Sequence, residues 1–221
     1  MPDDRTRATA RAAVTRRPAL AMNRFMVFCI AGWSGFFVMG VELLSGRILA
    51  PTFGSGIYVW GGIITVFMLA LSIGYLAGGR LSLRQPTLRK LALLLIVAAA
   101  TTVPVALLGE TLLDWLFGVV RDPRYGTLVS ATLLFFIPTA IGGMVSPYAV
   151  RLLVSEYRSS GQVAGLLYFV STLGSAAGTL MTSFYLVLWL DVDQILWGLC
   201  AVSWIIGALG LVVPEREHAF A

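Results

Sequence analysis

Six stretches of the chain are almost purely apolar, at about Phe25–Leu44, Ile57–Gly79, Leu91–Gly109, Thr127–Val150, Val163–Leu190 and Ile195–Val213. Each reaches or exceeds the roughly 20 residues that a helix needs to cross a hydrocarbon core about 30 Å thick. None shows the short apolar–polar alternation of a membrane β-barrel. The pattern predicts an all-α, polytopic membrane protein with six transmembrane helices. The fifth run is longer than a bilayer requires, so it is expected to tilt or to extend past the headgroups. The composition agrees: 58% of residues are apolar and 12% charged, which excludes an ordinary water-soluble domain.

The interruptions give the organisation. Residues 1–23 are rich in Arg, Ala and Thr and are expected to form a disordered, basic cytoplasmic tail. Arg16, Arg17 and Arg24 could hold anionic headgroups there. An Arg-rich transit peptide is the rival reading, which Asp3 and Asp4 oppose. Residues 24–213 form the transmembrane domain, and 214–221 a short cytoplasmic tail. With the N-terminus inside, thirteen Lys and Arg fall on the inner side and three, Arg47, Arg121 and Arg124, on the outer side. That bias predicts a plasma-membrane-type topology with both termini cytoplasmic. In the outer stretch from Glu110 to Gly126, an apolar cluster from Leu112 to Val120 is expected to form a short helix lying in the interface. The acidic link Asp191–Asp193 is short, so the last two spans should be antiparallel neighbours.

The net charge of +5 adds little, because the basic residues sit in the tail and between apolar runs. No soluble basic face remains for nucleic acid. Cys29 and Cys200 lie inside spans and read as small hydrophobes. The single histidine, His218, is in the tail, and no Cys/His cluster has zinc-ligand spacing. Neither a P-loop, a nucleophile elbow nor a histidine acid–base pair is present, so no catalysis by this chain alone, no metal and no cofactor are expected.

The candidate chemistry is concentrated in Gly40–Trp60, G-V-E-L-L-S-G-R-I-L-A-P-T-F-G-S-G-I-Y-V-W. Ionisable groups inside a membrane are costly and usually face a cavity, so Glu42 is a candidate cation or proton site. The alternative is a carboxylate near the headgroups, paired with Arg47. Five residues place the two about 140° apart on a straight helix, so pairing needs a bend, which Ser45-Gly46 and Pro51 could supply. Tyr58 and Trp60 could floor a cationic amine site, or belong to the outer aromatic belt with Trp189 and Trp197. Gly142-Gly143 and Ser146-Pro147 could break the fourth span beside a cavity. Gly74-x-x-x-Gly78 and Gly174-x-x-x-Gly178 read as helix-packing faces or a dimer seam. Aligning Arg47 with Arg151 brings Ser55-Gly56 near Ser160-Gly161, which suggests a 3+3 inverted repeat.

E-L-L-S-G-R-I-L-A-P-T-F-G-S-G-I-Y-V-W, then A-L-S-I-G-Y-L-A-G-G-R-L, P-T-A-I-G-G-M-V-S-P-Y-A-V-R-L-L and G-L-L-Y-F-V-S-T-L-G-S-A-A-G-T-L, resemble the membrane domain of the bacterial spermidine synthase-like family. In that family a major-facilitator-like membrane region is joined to a soluble aminopropyltransferase domain. The resemblance covers about residues 25–190 and implies a major-facilitator-like half. The family's synthase domain has no counterpart after Val213. The resemblance therefore implies a non-enzymatic membrane subunit or anchor for a separate aminopropyltransferase-like partner. The inner loops, with Arg80, Arg84, Arg89, Lys90, Arg151 and Arg158, are the candidate docking surface. The alternative is a small transporter of a polyamine-like cation or another small solute, using Glu42, Arg47, Tyr58 and Trp60, and working as a homodimer.

Overall fold

The computed structural model describes the backbone over residues 4–154 and 160–213, with side chains from Met22 onward. Its elements are helices: α1 (Asp4–Phe53), α2 (Ile57–Leu81), α3 (Leu88–Val119), α4 (Pro123–Leu153), α5 (Ser160–Trp189) and α6 (Val192–Val212). All six are long and apolar enough to cross a bilayer, the first over Met22–Phe53. A helix satisfies its own backbone hydrogen bonds, which lipid cannot do. The chain is a multi-pass helical membrane protein.

Three boundaries depart from expectation. Residues 1–23 were expected to be disordered, yet the backbone is helical from Asp4. Ala and Arg are strong helix formers, and extending a helix needs no new nucleus. The first span was expected to leave the helix after Leu44 and bend, but α1 continues through Ser45, Gly46 and Pro51 to Phe53. Pro51 stands in the last turn, where its missing N–H costs one bond only. The turn comes at Gly54, whose φ of +81° suits glycine and whose N–H donates to the Ala50 carbonyl at 2.9 Å. The separate interfacial helix expected in Glu110–Gly126 is instead the last part of α3. Leu113 and Leu116 are buried, and Phe117 meets Phe53 edge-on at 6.1 Å. Neither Pro104 nor Gly109 stops α3.

Two tight pairings organise the bundle: α2 lies along α4, and α5 along α1. Both are made by the glycine motifs. A Cβ on Gly74 would fall on the Ala140 carbonyl oxygen, and one on Gly78 would stand 2.5 Å from that of Met144. A Cβ on Gly174 would fall on the Gly32 carbonyl oxygen, and one on Gly178 would stand 2.5 Å from that of Phe36. Glycine lets the backbones touch where the hydrophobic effect gives no drive for association. Gly142 makes room for the Val38 side chain and Gly143 for the Leu71 backbone, and α4 runs unbroken to Leu153. They are packing positions in a continuous helix.

The other helices close the bundle. α3 packs on α4 and α6, and α1 also touches α4, α6 and α3. Trp33 Nε1 donates to Ser203 Oγ at 2.8 Å, and Cys200 Sγ reaches the Ala99 carbonyl at 3.4 Å. Both cysteines are free thiols. Near its end α5 loosens into a π-helical turn at Thr182–Leu186 before Trp189. Gln194 Oε1 accepts from the Asp191 N–H at 3.1 Å and starts α6.

Gly174→Leu should destabilise the protein by about 1–3 kcal/mol or more, because the neighbour is backbone and cannot move aside. Gly198→Ala meets nothing within 4 Å and should be neutral or stabilising by about 0.5–1 kcal/mol. Thermal unfolding of the two variants in detergent measures both.

Candidate functional site

Glu42, Ser34, Val38 and Gly46 form one i, i+4 row on α1. Ser34 Oγ donates to the Gly142 carbonyl at 3.3 Å, and Val38 packs against Gly142 of α4. At the other end of the row a Cβ on Gly46 would stand 2.6 Å from the Trp60 ring of α2. Glu42 falls between these contacts, where α2 leaves α1 to follow α4, and is partly buried. Since Trp60 is on the first turn of α2, Glu42 lies one turn, about 5 Å, deeper than that ring. The acid is therefore within the span, toward the α1–α2 turn.

The straight course of α1 keeps Arg47 about 140° from Glu42, and Arg47 is exposed. The bend that would let them pair is absent. Ser45, buried, turns inward and donates to the Glu42 carbonyl at 2.6 Å. Tyr58 and Trp60, expected to act together, separate. Trp60 turns onto Gly46 of α1. Tyr58 is 57% exposed, and its ring carries the Arg124 guanidinium 4.5 Å from its centroid. The Arg124 Nη2 donates to the Tyr58 hydroxyl at 3.5 Å. The cation–π contact foreseen for a ligand is thus occupied by the protein's own arginine, presented after the Asp122-Pro123 start of α4. Asp122 Oδ1 accepts from the Arg124 N–H at 2.9 Å. Sequence reading missed Arg124 as a partner, because residues 58 and 124 meet only once α2 and α4 pair. Of the expected belt, Trp189 is exposed at a helix end and Trp197 lies within the first turns of α6.

The second candidate surface is at the opposite end of the bundle. Arg80 and Arg84 close α2, Arg89 and Lys90 open α3, and Arg151 is in the last turn of α4. Buried Tyr148 ties these elements together, its hydroxyl accepting from the Thr87 N–H at 3.0 Å. Thr87 caps α3 by accepting from the Lys90 N–H. Lys90 is committed within the loop: its Nζ donates to the carbonyls of Arg84 at 2.8 Å and Gln85 at 2.9 Å. It holds Gln85 at a φ of +46°, a conformation that non-glycine residues seldom adopt. Arg80, Arg84, Arg89 and Arg151 are solvent- or headgroup-facing. Arg158 lies outside the described residues.

Charge is divided between the ends. Among the residues with described side chains, Arg24, Arg80, Arg84, Arg89, Lys90 and Arg151 stand at one end with no acid. Glu110, Asp114, Asp122, Asp191 and Asp193 stand at the other with Arg47, Arg121 and Arg124. Together the fold and this polarity define a polytopic membrane protein with one basic end. No family model matches the chain, and comparison with characterised proteins and with solved structures finds no match.

Lys90→Met should loosen the α2–α3 loop, costing about 1 kcal/mol for the lost charge-assisted bonds. Faster limited proteolysis between Arg80 and Arg89 measures the loosening. Cleavage at the wild-type rate would show that the ammonium does not hold the turn.

Proposed function

We propose that the chain is a non-enzymatic membrane subunit that recruits an acidic soluble protein to its basic end, on the cytoplasmic side of a bacterial inner membrane. The observation that carries this reading is the gathering of Arg80, Arg84, Arg89 and Arg151 onto one ordered end that has no described acid. Clustered guanidinium groups bind carboxylates bidentately and steer an acidic partner. The same bases belong on the cytoplasmic side by the positive-inside rule. The resemblance to the spermidine synthase-like membrane domain supplies the partner's class, an aminopropyltransferase-like enzyme.

The test is co-purification of the full chain from its own membranes at low salt. An acidic soluble protein should accompany the wild type and leave as salt is raised. The triple change Arg80→Gln, Arg84→Gln, Arg151→Gln should reduce its recovery at least tenfold with the membrane protein still monodisperse. Equal recovery from that variant would falsify the docking surface.

A second reading, transport of a cationic amine, is favoured by Glu42 alone, an acid within the span with Arg47 turned elsewhere. In proteoliposomes, uptake of radiolabelled spermidine lost in Glu42→Gln would support it. Uptake equal to that of empty vesicles would remove it.

A further inference from the structure

We propose that the bundle is two inverted three-helix units, α1–α3 and α4–α6, that exchange conformations about the Ser34–Gly142 contact. The first observation is that the two glycine seams are built alike. Between α5 and α1, Gly174 meets Gly32 and Gly178 meets Phe36. Between α2 and α4, Gly74 meets Ala140 and Gly78 meets Met144. A third contact repeats in the same register. A Cβ on Gly35 would fall on the Ser171 carbonyl oxygen, and one on Gly143 would stand 3.2 Å from the Leu71 carbonyl oxygen. One rule relates the three contacts. It makes Gly32, Gly35 and Phe36 of α1 the counterparts of Ala140, Gly143 and Met144 of α4. It makes Leu71, Gly74 and Gly78 of α2 the counterparts of Ser171, Gly174 and Gly178 of α5. This register is four residues, about one turn, from the one given by aligning Arg47 with Arg151.

Under the same rule Ser34 is the counterpart of Gly142. These two touch directly, the Ser34 hydroxyl donating to the Gly142 carbonyl at 3.3 Å. A position that contacts its own counterpart lies on the axis of a twofold relation. Residue numbers rise together along each seam, so α5 is parallel to α1 and α2 is parallel to α4. α1 and α4 are the first and fourth spans, so they cross the bilayer in opposite directions. The axis therefore lies in the membrane plane, as in inverted-topology repeats. The remaining packing agrees: α3 lies on α4 as α6 lies on α1, and α3 and α6 meet each other.

The seams match, but the ends of the two units do not. Where α1 hands over to α2, the Trp60 ring lies on Gly46. The counterparts at the opposite end are Ser160 and Val154, which carry no ring. There α4 stops at Leu153, whereas α1 continues past the equivalent place to Phe53. The most apolar window of α5 is 11% buried, against 39% for its counterpart α2. Among the described helices α5 also carries a π-helical turn, at Thr182–Leu186. Few buried contacts mark a segment of low local stability. Two units of one build thus hold different end states, α2 latched and α5 free. The reverse arrangement draws α5 onto α4 and releases α2 from α1. It keeps the same backbone contacts in both seams. Rocking of one inverted repeat against the other opens alternate faces of such a bundle. The exchange does not depend on a soluble partner at the basic end.

The test is pulsed electron paramagnetic resonance on the full chain in lipid nanodiscs, with Cys29 and Cys200 changed to alanine. One sample carries spin labels at Leu43→Cys and Gly61→Cys. The other carries them at the counterparts, Arg151→Cys and Gly161→Cys. Gly61 and Gly161 have nothing within 4 Å, so both accept a label. Each pair should show the same two distances, with the major and minor populations reversed. Trp60→Ala, which removes the latch, should raise the minor population of both pairs at least threefold. Gly46→Ala should act in the same direction, because its Cβ would stand 2.6 Å from the ring. It serves as the second variant if the larger change unfolds the protein. A single distance in each pair that neither variant alters overturns the exchange. A shift of the α1–α2 pair alone also overturns it, because that is local fraying of α2.

Discussion

The bundle depends on helices approaching until their backbones touch. In water, two apolar helices associate because water is expelled; in lipid that drive is missing, and contact quality decides. This chain places its closest contacts at two glycine pairs. Gly74 and Gly78 lay α2 on Ala140 and Met144, and Gly174 and Gly178 lay α5 on Gly32 and Phe36. Everything else is arranged around α1 and α4, the helices that receive those contacts. With α2 tight on α4, Trp60 reaches Gly46 and Tyr58 reaches Arg124. The surroundings of Glu42 are therefore set by glycines more than two turns away along the neighbouring helices.

The ends obey a different rule. At the basic end, Tyr148, Thr87 and Lys90 satisfy backbone groups that a tight turn would leave bare. Lys90 shows why a charge in a loop need not be a recognition group. Its ammonium is a donor for two carbonyls before it is a surface cation. The planar guanidinium groups of the arginines beside it suit carboxylate recognition better than an ammonium does.

Much of the fold was legible in the sequence because lipid imposes one strong constraint, a run of about 20 apolar residues. That constraint located six helices but said little about where they stop. Val119 and Phe53 end α3 and α1 well beyond the apolar runs, because a helix continues into the interface until a residue such as Gly54 turns the chain. The glycine motifs were readable as packing faces, although their partners were not. The candidate site was readable only as a list. Glu42 and Arg47 are neighbours in sequence, yet helical phase separates them. Tyr58 looked like a ligand platform until the fold brought it Arg124, 66 residues away. Pairings of that kind depend on which helices touch, and no single span records that.

Glu42 and the arginines sit at different depths, and depth changes what each can mean. An arginine at a helix end reaches water or a headgroup at little cost through its long stem. Its presence alone therefore carries limited information about function, and only the gathering of several on one ordered end adds some. A glutamate side chain is shorter, and Glu42 lies a turn deeper than Trp60. The chain could have placed a leucine there, as it does at Leu44 and Leu49 in the buried core of the same helix. Keeping an acid at that depth carries a continuing free-energy cost unless something covers it.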